Sequence, residues 1–302
     1  MTPPRSAWAT PAMLLVVVIW ALNFIAMRLV LREVPLLAVG ALRFLGAGLL
    51  LLAVLALREG SIGAPRAVWG RILLLGIIGN SIYQTLFMVG LERTTVGNTS
   101  ILLATSPLLT ALLGWAVGME RPTRHLVAGL VLALIGAGLV LHDTGMAPGS
   151  ASLIGDLAAL GAAFCWAAFT LGVRTLPPEL SPLRVTALTT IAGAPLLLLV
   201  GAPDLLRLHW GAVTLPAWGG LGYSIALSIG VAYLLWNASV AAVGPNRTAI
   251  FNSLTPLIAM LAAWPALGEV PGITQWAGGT LIVGGVVLAR WAPAPVAAPG
   301  TA

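Results

Sequence analysis

Two stretches half the chain apart carry nearly the same pattern. Thr99, Ile101, Pro107, Leu108, Leu112, Trp115 and Glu120 recur as Thr248, Ile250, Pro256, Leu257, Leu261, Trp264 and Glu269, all at the offset that separates Pro107 from Pro256. The same offset carries Pro122 onto Pro271, Gly129 onto Gly278 and Gly136 onto Gly285. The chain is therefore an internal duplication. Each copy is apolar enough to span a bilayer, yet each is broken near mid-span by a hydroxyl–proline step, Ser106-Pro107 and Thr255-Pro256. Proline removes a backbone donor and frees a carbonyl, which hydrocarbon tolerates only where protein or a wet cavity compensates.

The setting is a membrane. Of the 302 residues 59% are apolar and 8% are charged, whereas a soluble domain carries roughly a quarter charged residues. Runs of about 20 apolar residues, the length that crosses a bilayer, fall near 11–31, 35–57, 69–91, 95–118 and 123–142, and again near 153–174, 182–201, 216–241, 246–268 and 272–291. The expected organisation is a cytoplasmic segment 1–10, a first five-helix repeat 11–142, an extracytoplasmic linker 143–152, a second repeat 153–291 and a disordered Pro/Ala-rich tail 292–302. Arg5 before the first apolar run resembles a signal peptide. The poor cleavage pattern and the many spans that follow favour an uncleaved first helix.

All the basic excess is arginine, since no lysine occurs. The arginines sit mostly singly between apolar runs, so they read as loop charges that set topology rather than as a nucleic-acid surface. With the N-terminus in the cytoplasm, ten arginines fall inside and four outside (Arg28, Arg32, Arg93 and Arg207), with Arg43 left within a span. Both termini are therefore expected in the cytoplasm. Five spans per copy is an odd number, so the second copy enters the membrane upside down. Duplication with an odd count predicts an all-α polytopic protein of ten transmembrane helices in two inverted repeats. Paired interruptions at equivalent places in such halves point to the central site of a transporter.

At this point the residues resemble the EamA-type carriers of the drug/metabolite transporter superfamily over nearly the whole chain. The resemblance rests on Trp20, Asn23-Phe24 and Arg28, on Arg43-Phe44, and on the two Pro-Leu spans closing on Glu120 and on Gly268-Glu269, each followed by a Gly-rich helix. Trp166-Ala167 and Arg174 answer in the second half, whereas Met119 and a seventh span without Arg-Phe depart from the pattern. The resemblance implies a ten-helix carrier in the bacterial inner membrane, often an exporter of amino acids or related metabolites.

Polar groups within spans are costly and face a cavity or a neighbouring helix. Trp20 and Asn23 share a face of the first span. Asn80, Tyr83 and Gln84 share a face of the third by three- and four-residue spacing. Trp166 and Phe169 do so in the sixth and Tyr233, Trp236 and Asn237 lie close together in the eighth, while Asn252 precedes the proline of the ninth. These residues and Arg43 are the candidate cavity lining. Ser, Thr and Gly also serve plain helix packing, and tryptophans also anchor at interfaces, which suits Trp8, Trp69, Trp210, Trp218 and Trp291. Trp20 and Trp166 lie too deep for that. Arg43 either snorkels outward or is buried, holding a carbonyl or a solute carboxylate. Pro107 and Pro256 are expected to act as hinges or kinks, and Glu120 and Glu269 to cap or pair with loop groups.

A space lined by Trp, Tyr, Phe and Asn suits an uncharged or zwitterionic solute with an apolar side chain, and aromatic faces attract ammonium groups. It does not suit a polyphosphate. The first span holds no acidic residue, unlike that expected of small multidrug exporters, though a cationic-compound exporter of the same fold is the alternative. No Asp or Glu falls near mid-membrane, so facilitated export by alternating access is expected rather than a carboxylate proton relay. The lone Cys165 excludes an intrachain disulfide and a multi-cysteine metal site. His125, His142 and His209 lie at span ends or in loops, and no His-Glu-x-x-His occurs, so no catalytic residue, metal or cofactor is expected. The expected partners are a small solute and lipid, not nucleic acid, and the expected state is a monomer.

Overall fold

The computed structural model describes residues 8–118, 123–143, 151–243, 248 and 251–290. Glu120, most of the linker between the repeats, the segment before Trp8 and the tail from Ala292 lie outside the described residues. Among the described residues all regular structure is helical. Seven helices are long and apolar enough to cross a membrane: α1 (Ala9–Val30), α2 (Leu36–Glu59), α3 (Arg66–Arg93), α4 (Val96–Ala116), α6 (Ser152–Val173), α7 (Pro182–Arg207) and α8 (Leu215–Ala242). Three are shorter in their apolar part: α5 (Arg124–Asp143), α9 (Thr255–Leu267) and α10 (Ile273–Arg290). The chain is a multi-pass membrane protein.

Local chemistry sets the boundaries. Gly60 and Gly268 adopt left-handed φ values of 69° and 73° and stop α2 and α9, a conformation that glycine takes without steric cost. Thr95 and Ser181 cap α4 and α7 by accepting the N–H groups of Asn98 and Arg184, and Pro182 fills a first-turn position that needs no donor. Between α1 and α2, Glu33 accepts the backbone N–H and the hydroxyl of Thr214 at the start of α8, both at 2.8 Å. The backbone bond first, and the hydroxyl second, hold the Glu33 carboxyl below its ordinary range. Arg184, at the start of α7, grips the end of α2 through Glu59 at 2.9 Å and the α2–α3 loop through the Gly63 carbonyl at 2.9 Å.

Packing between the two halves is reciprocal. In the first half α1 packs on α8 and α9, and in the second α6 packs on α3 and α4; α2 lies against α7 and α5 against α10. The α5–α10 seam is antiparallel, because Gly129 meets Gly285 while Gly136 meets Gly278. The duplication offset turns each of these pairs into the other. Small residues allow this approach: a Cβ on Gly136 would stand 2.6 Å from the Gly278 carbonyl oxygen, whereas one on Gly138 would meet nothing within 4 Å. Gly136→Ala is therefore expected to destabilise the purified protein by about 1–3 kcal/mol, and Gly138→Ala to be neutral or slightly stabilising. Thermal unfolding in detergent checks the pair; equal midpoints would mean that the seam is not tightly packed.

Two departures from regular helix matter for the site. First, α3 widens into a π-helical segment over Ile77–Ile82 and α8 does so over Ser224–Val231. The two segments end at residues related by the duplication offset, and such segments often mark functional sites. Second, α4 is interrupted at Ala104-Thr105 and the stretch leading into α9 at Ser253-Leu254. Pro107 cannot donate to the Leu103 carbonyl, and the Ser106 hydroxyl donates there instead. In the second copy the Thr255 hydroxyl donates to Asn252 Oδ1 at 2.9 Å.

Candidate functional site

Where α1, α2, α3, α4, α6, α8 and α9 converge, the helices line a cavity of about 50 Å³. At roughly 10–15 Å³ per water by this measure, it admits a few waters and no large side chain.

The walls are aromatic. Trp166 of α6 is the centre of the cluster, with ring centroids 5.7 Å from Trp20, 5.2 Å from Tyr83, 5.3 Å from Tyr233, 5.8 Å from Trp236 and 5.5 Å from Phe169. Trp20 meets Tyr233 edge-on at 6.0 Å and Trp236 at 5.2 Å, and Tyr83 stacks on Phe87 at 6.0 Å. Edge-to-face and offset pairs of this kind favour fixed rings. The Trp20 indole N–H donates to the Ser228 carbonyl of the π-helical segment in α8 at 3.1 Å, and the Tyr223 hydroxyl donates to the Ile19 carbonyl at 2.9 Å. Together they pin α1 to α8 at the depth of the cavity.

Among the described residues Arg43 is the one charged side chain in the lining. It is 2% exposed, and its Nε donates to Ser224 Oγ. Asn23 and Gln84, 4% and 1% exposed, line the same space. Among the described residues no carboxylate lines the cavity.

Of the residues expected from sequence, Trp20, Asn23, Arg43, Tyr83, Gln84, Trp166, Tyr233 and Asn252 line this cavity. Phe169 and Trp236 stand one layer behind, against Trp166. Asn80 donates to the Thr189 carbonyl of α7 at 2.6 Å, and Asn237 to the Thr186 hydroxyl of the same helix at 2.6 Å. Pro107 and Pro256 sit in the first turns after the two interruptions, outside the lining. Phe24, Phe87, Ser100, Leu103, Ala104 and Ser106, which sequence reasoning missed, complete the lining together with Ser228 and Thr255. The signal for the first two was present, since each follows an aromatic residue, Trp20 or Tyr83, by four positions.

Off the cavity, Glu269 accepts the Val96 N–H at 2.8 Å and lies 3.9 Å from Arg28, tying α9 to the ends of α4 and α1. Beside it, Gln275 donates to Asn98 Oδ1 at 2.6 Å and Asn98 to Asp156 at 3.3 Å.

The chain matches the EamA-like transporter family over residues 7–142 and 153–291. It is 29% identical to the "Probable terminal-alkyne amino-acid exporter" of Streptantibioticus cattleyicolor over 289 residues, 94% of this chain and 93% of that protein. It is also 29% identical to the "Probable amino-acid metabolite efflux pump" of Salmonella typhimurium over 284 residues, 91% of this chain and 92% of that protein. A solved crystal structure shares the fold with a TM-score of 0.66 at 22% identity, covering 94% of this chain and 96% of that one.

Proposed function

The chain belongs to the EamA-like transporter family, and on that premise we propose that it is a bacterial inner-membrane carrier that exports amino acids, aromatic or otherwise apolar, or related small metabolites. The carrier works by alternating access between two inverted five-helix repeats, 11–142 and 153–291, with ten spans and both termini in the cytoplasm. The observation that carries this reading is the cavity itself: Trp20 and Tyr83 from one half and Trp166 and Tyr233 from the other converge on one buried space. The reciprocal packing of the halves and the antiparallel α5–α10 seam support an axis lying in the membrane plane. The names of the two exporters similar to this chain support the substrate class.

Both halves of a single chain build the cavity, so a monomer suffices. Pro107 and Pro256 serve as hinges, because each breaks the helical hydrogen-bond ladder, and the hydroxyl beside Pro107 donates to the freed Leu103 carbonyl. With no carboxylate among the described residues of the lining, the carrier is facilitative and follows the gradient of its solute.

Counterflow in proteoliposomes tests this. Vesicles preloaded with an unlabelled aromatic or aliphatic amino acid should accumulate the labelled one above equilibrium. Counterflow with cationic drugs alone would keep the fold and discard the solute. No counterflow with any solute from folded protein would discard the carrier.

A further inference from the structure

Among the described residues seven buried side-chain atoms have no hydrogen-bond partner, and three of them belong to the cavity lining: Arg43 Nη1, Gln84 Nε2 and Asn23 Oδ1. All three residues are more than nine-tenths buried. Buried polar groups in native proteins are paired almost without exception, and an orphan calls for an explanation. These three share one space, apart from the other four, and differ in sense. Two are donors and one is an acceptor.

The two donors belong to residues that line the same cavity. The stem of Gln84 packs at Gly40, within 3.9 Å of where its Cβ would stand, and Gly40 lies one turn before Arg43 on α2. Arg43 is held by its Nε bond to Ser224, so its remaining nitrogens are presented rather than free to swing. No described carboxylate pairs with this guanidinium, and none lines the cavity. A buried cation without a counter-ion is costly unless something brings the opposite charge.

We propose that the carrier recognises the free carboxylate of its solute through Arg43 and Gln84, and the free ammonium through Asn23 and the surrounding ring faces. This deepens the amino-acid reading and rests on it. A carboxylate offers only acceptors, matching the two donors, and supplies the missing negative charge. An ammonium offers only donors, matching Asn23 Oδ1, and the faces of Trp20 and Trp166 attract a cation. The solute that satisfies all three orphans carries both groups. An amine without the carboxylate would add a second positive charge beside Arg43 and leave both donors unpaired, so the same site rejects it.

The test is competition against labelled phenylalanine in counterflow by wild-type protein, using phenylalanine, its methyl ester, phenethylamine and N-acetylphenylalanine. The ester and the amine are expected to compete roughly 10- to 100-fold more weakly than the amino acid, the size of one lost charge-assisted hydrogen bond. N-acetylation should also weaken competition. Arg43→Gln should lower affinity for phenylalanine by a similar factor and narrow the gap between phenylalanine and phenethylamine to about threefold or less. Gln84→Leu should do the same to a smaller extent. Phenethylamine or the ester competing as well as phenylalanine would overturn the inference while counterflow itself upheld the carrier. An undiminished preference for the acid in folded Arg43→Gln would also overturn it. The wild-type panel decides the matter even if the Arg43 variant fails to fold. Absence of counterflow with any amino acid would overturn the carrier reading, and this inference with it.

Discussion

Trp166→Ala should abolish counterflow, and Trp166→Phe should leave a folded protein with transport reduced by roughly tenfold. Trp166 joins the aromatic groups of both halves, with Trp20, Tyr83, Tyr233, Trp236 and Phe169 all within 6 Å of it, centroid to centroid. Removing a buried indole costs about 3–5 kcal/mol in transfer and cavity energy, so Ala risks unfolding as well as loss of the site. Phe keeps a ring in place and narrows the change to the lining. The check is a thermal-unfolding midpoint beside a counterflow rate for each variant. A folded Trp166→Ala protein that transports at the wild-type rate would place the solute path elsewhere.

The second large effect is expected at a position with no polar atom. Gly79 lies in the π-helical segment of α3, and a Cβ there would overlap the ring of Phe169. Phe169 is 1% exposed and stands directly behind Trp166, so it cannot retreat without pushing into the aromatic cluster. Gly79→Ala should therefore lower stability by about 1–3 kcal/mol and impair transport by displacing Trp166. Adding Phe169→Leu should recover part of both losses. The two changes should be non-additive by more than about 0.5 kcal/mol, the mark of side chains in contact. Additive losses would show that Gly79 and Phe169 do not meet.

Much of this was readable in advance because a duplication repeats its own message. The paired Pro-Leu spans pointed to a duplication, and the depth of Trp20, Trp166 and Arg43 within their apolar runs distinguished them from interfacial anchors. The π-helical segments were not readable. Three- and four-residue spacing puts Asn80, Tyr83 and Gln84 on one face of a regular helix, but the wide turn over Ile77–Ile82 changes the register. Asn80 consequently points to Thr189 of α7, while Tyr83 and Gln84 reach the cavity. Asn237 shares a face with Tyr233 but lies one turn farther along α8, where Thr186 takes its amide. Periodicity gives direction around a helix axis and says little about which neighbour stands opposite. Small lining residues such as Ala104 and Ser100 carry no sequence signal at all, because alanine and serine are equally at home in plain helix packing.

The most direct measurement is the accessibility of one cavity position from the two sides of the membrane. Thr255→Cys, made in a Cys165→Ala protein reconstituted in vesicles of known orientation, offers a single thiol in the lining. A membrane-impermeant maleimide should label it from either face, and saturating solute should slow labelling from both. Labelling from neither face, or from one face only and regardless of solute, would contradict a central site that opens to each side in turn.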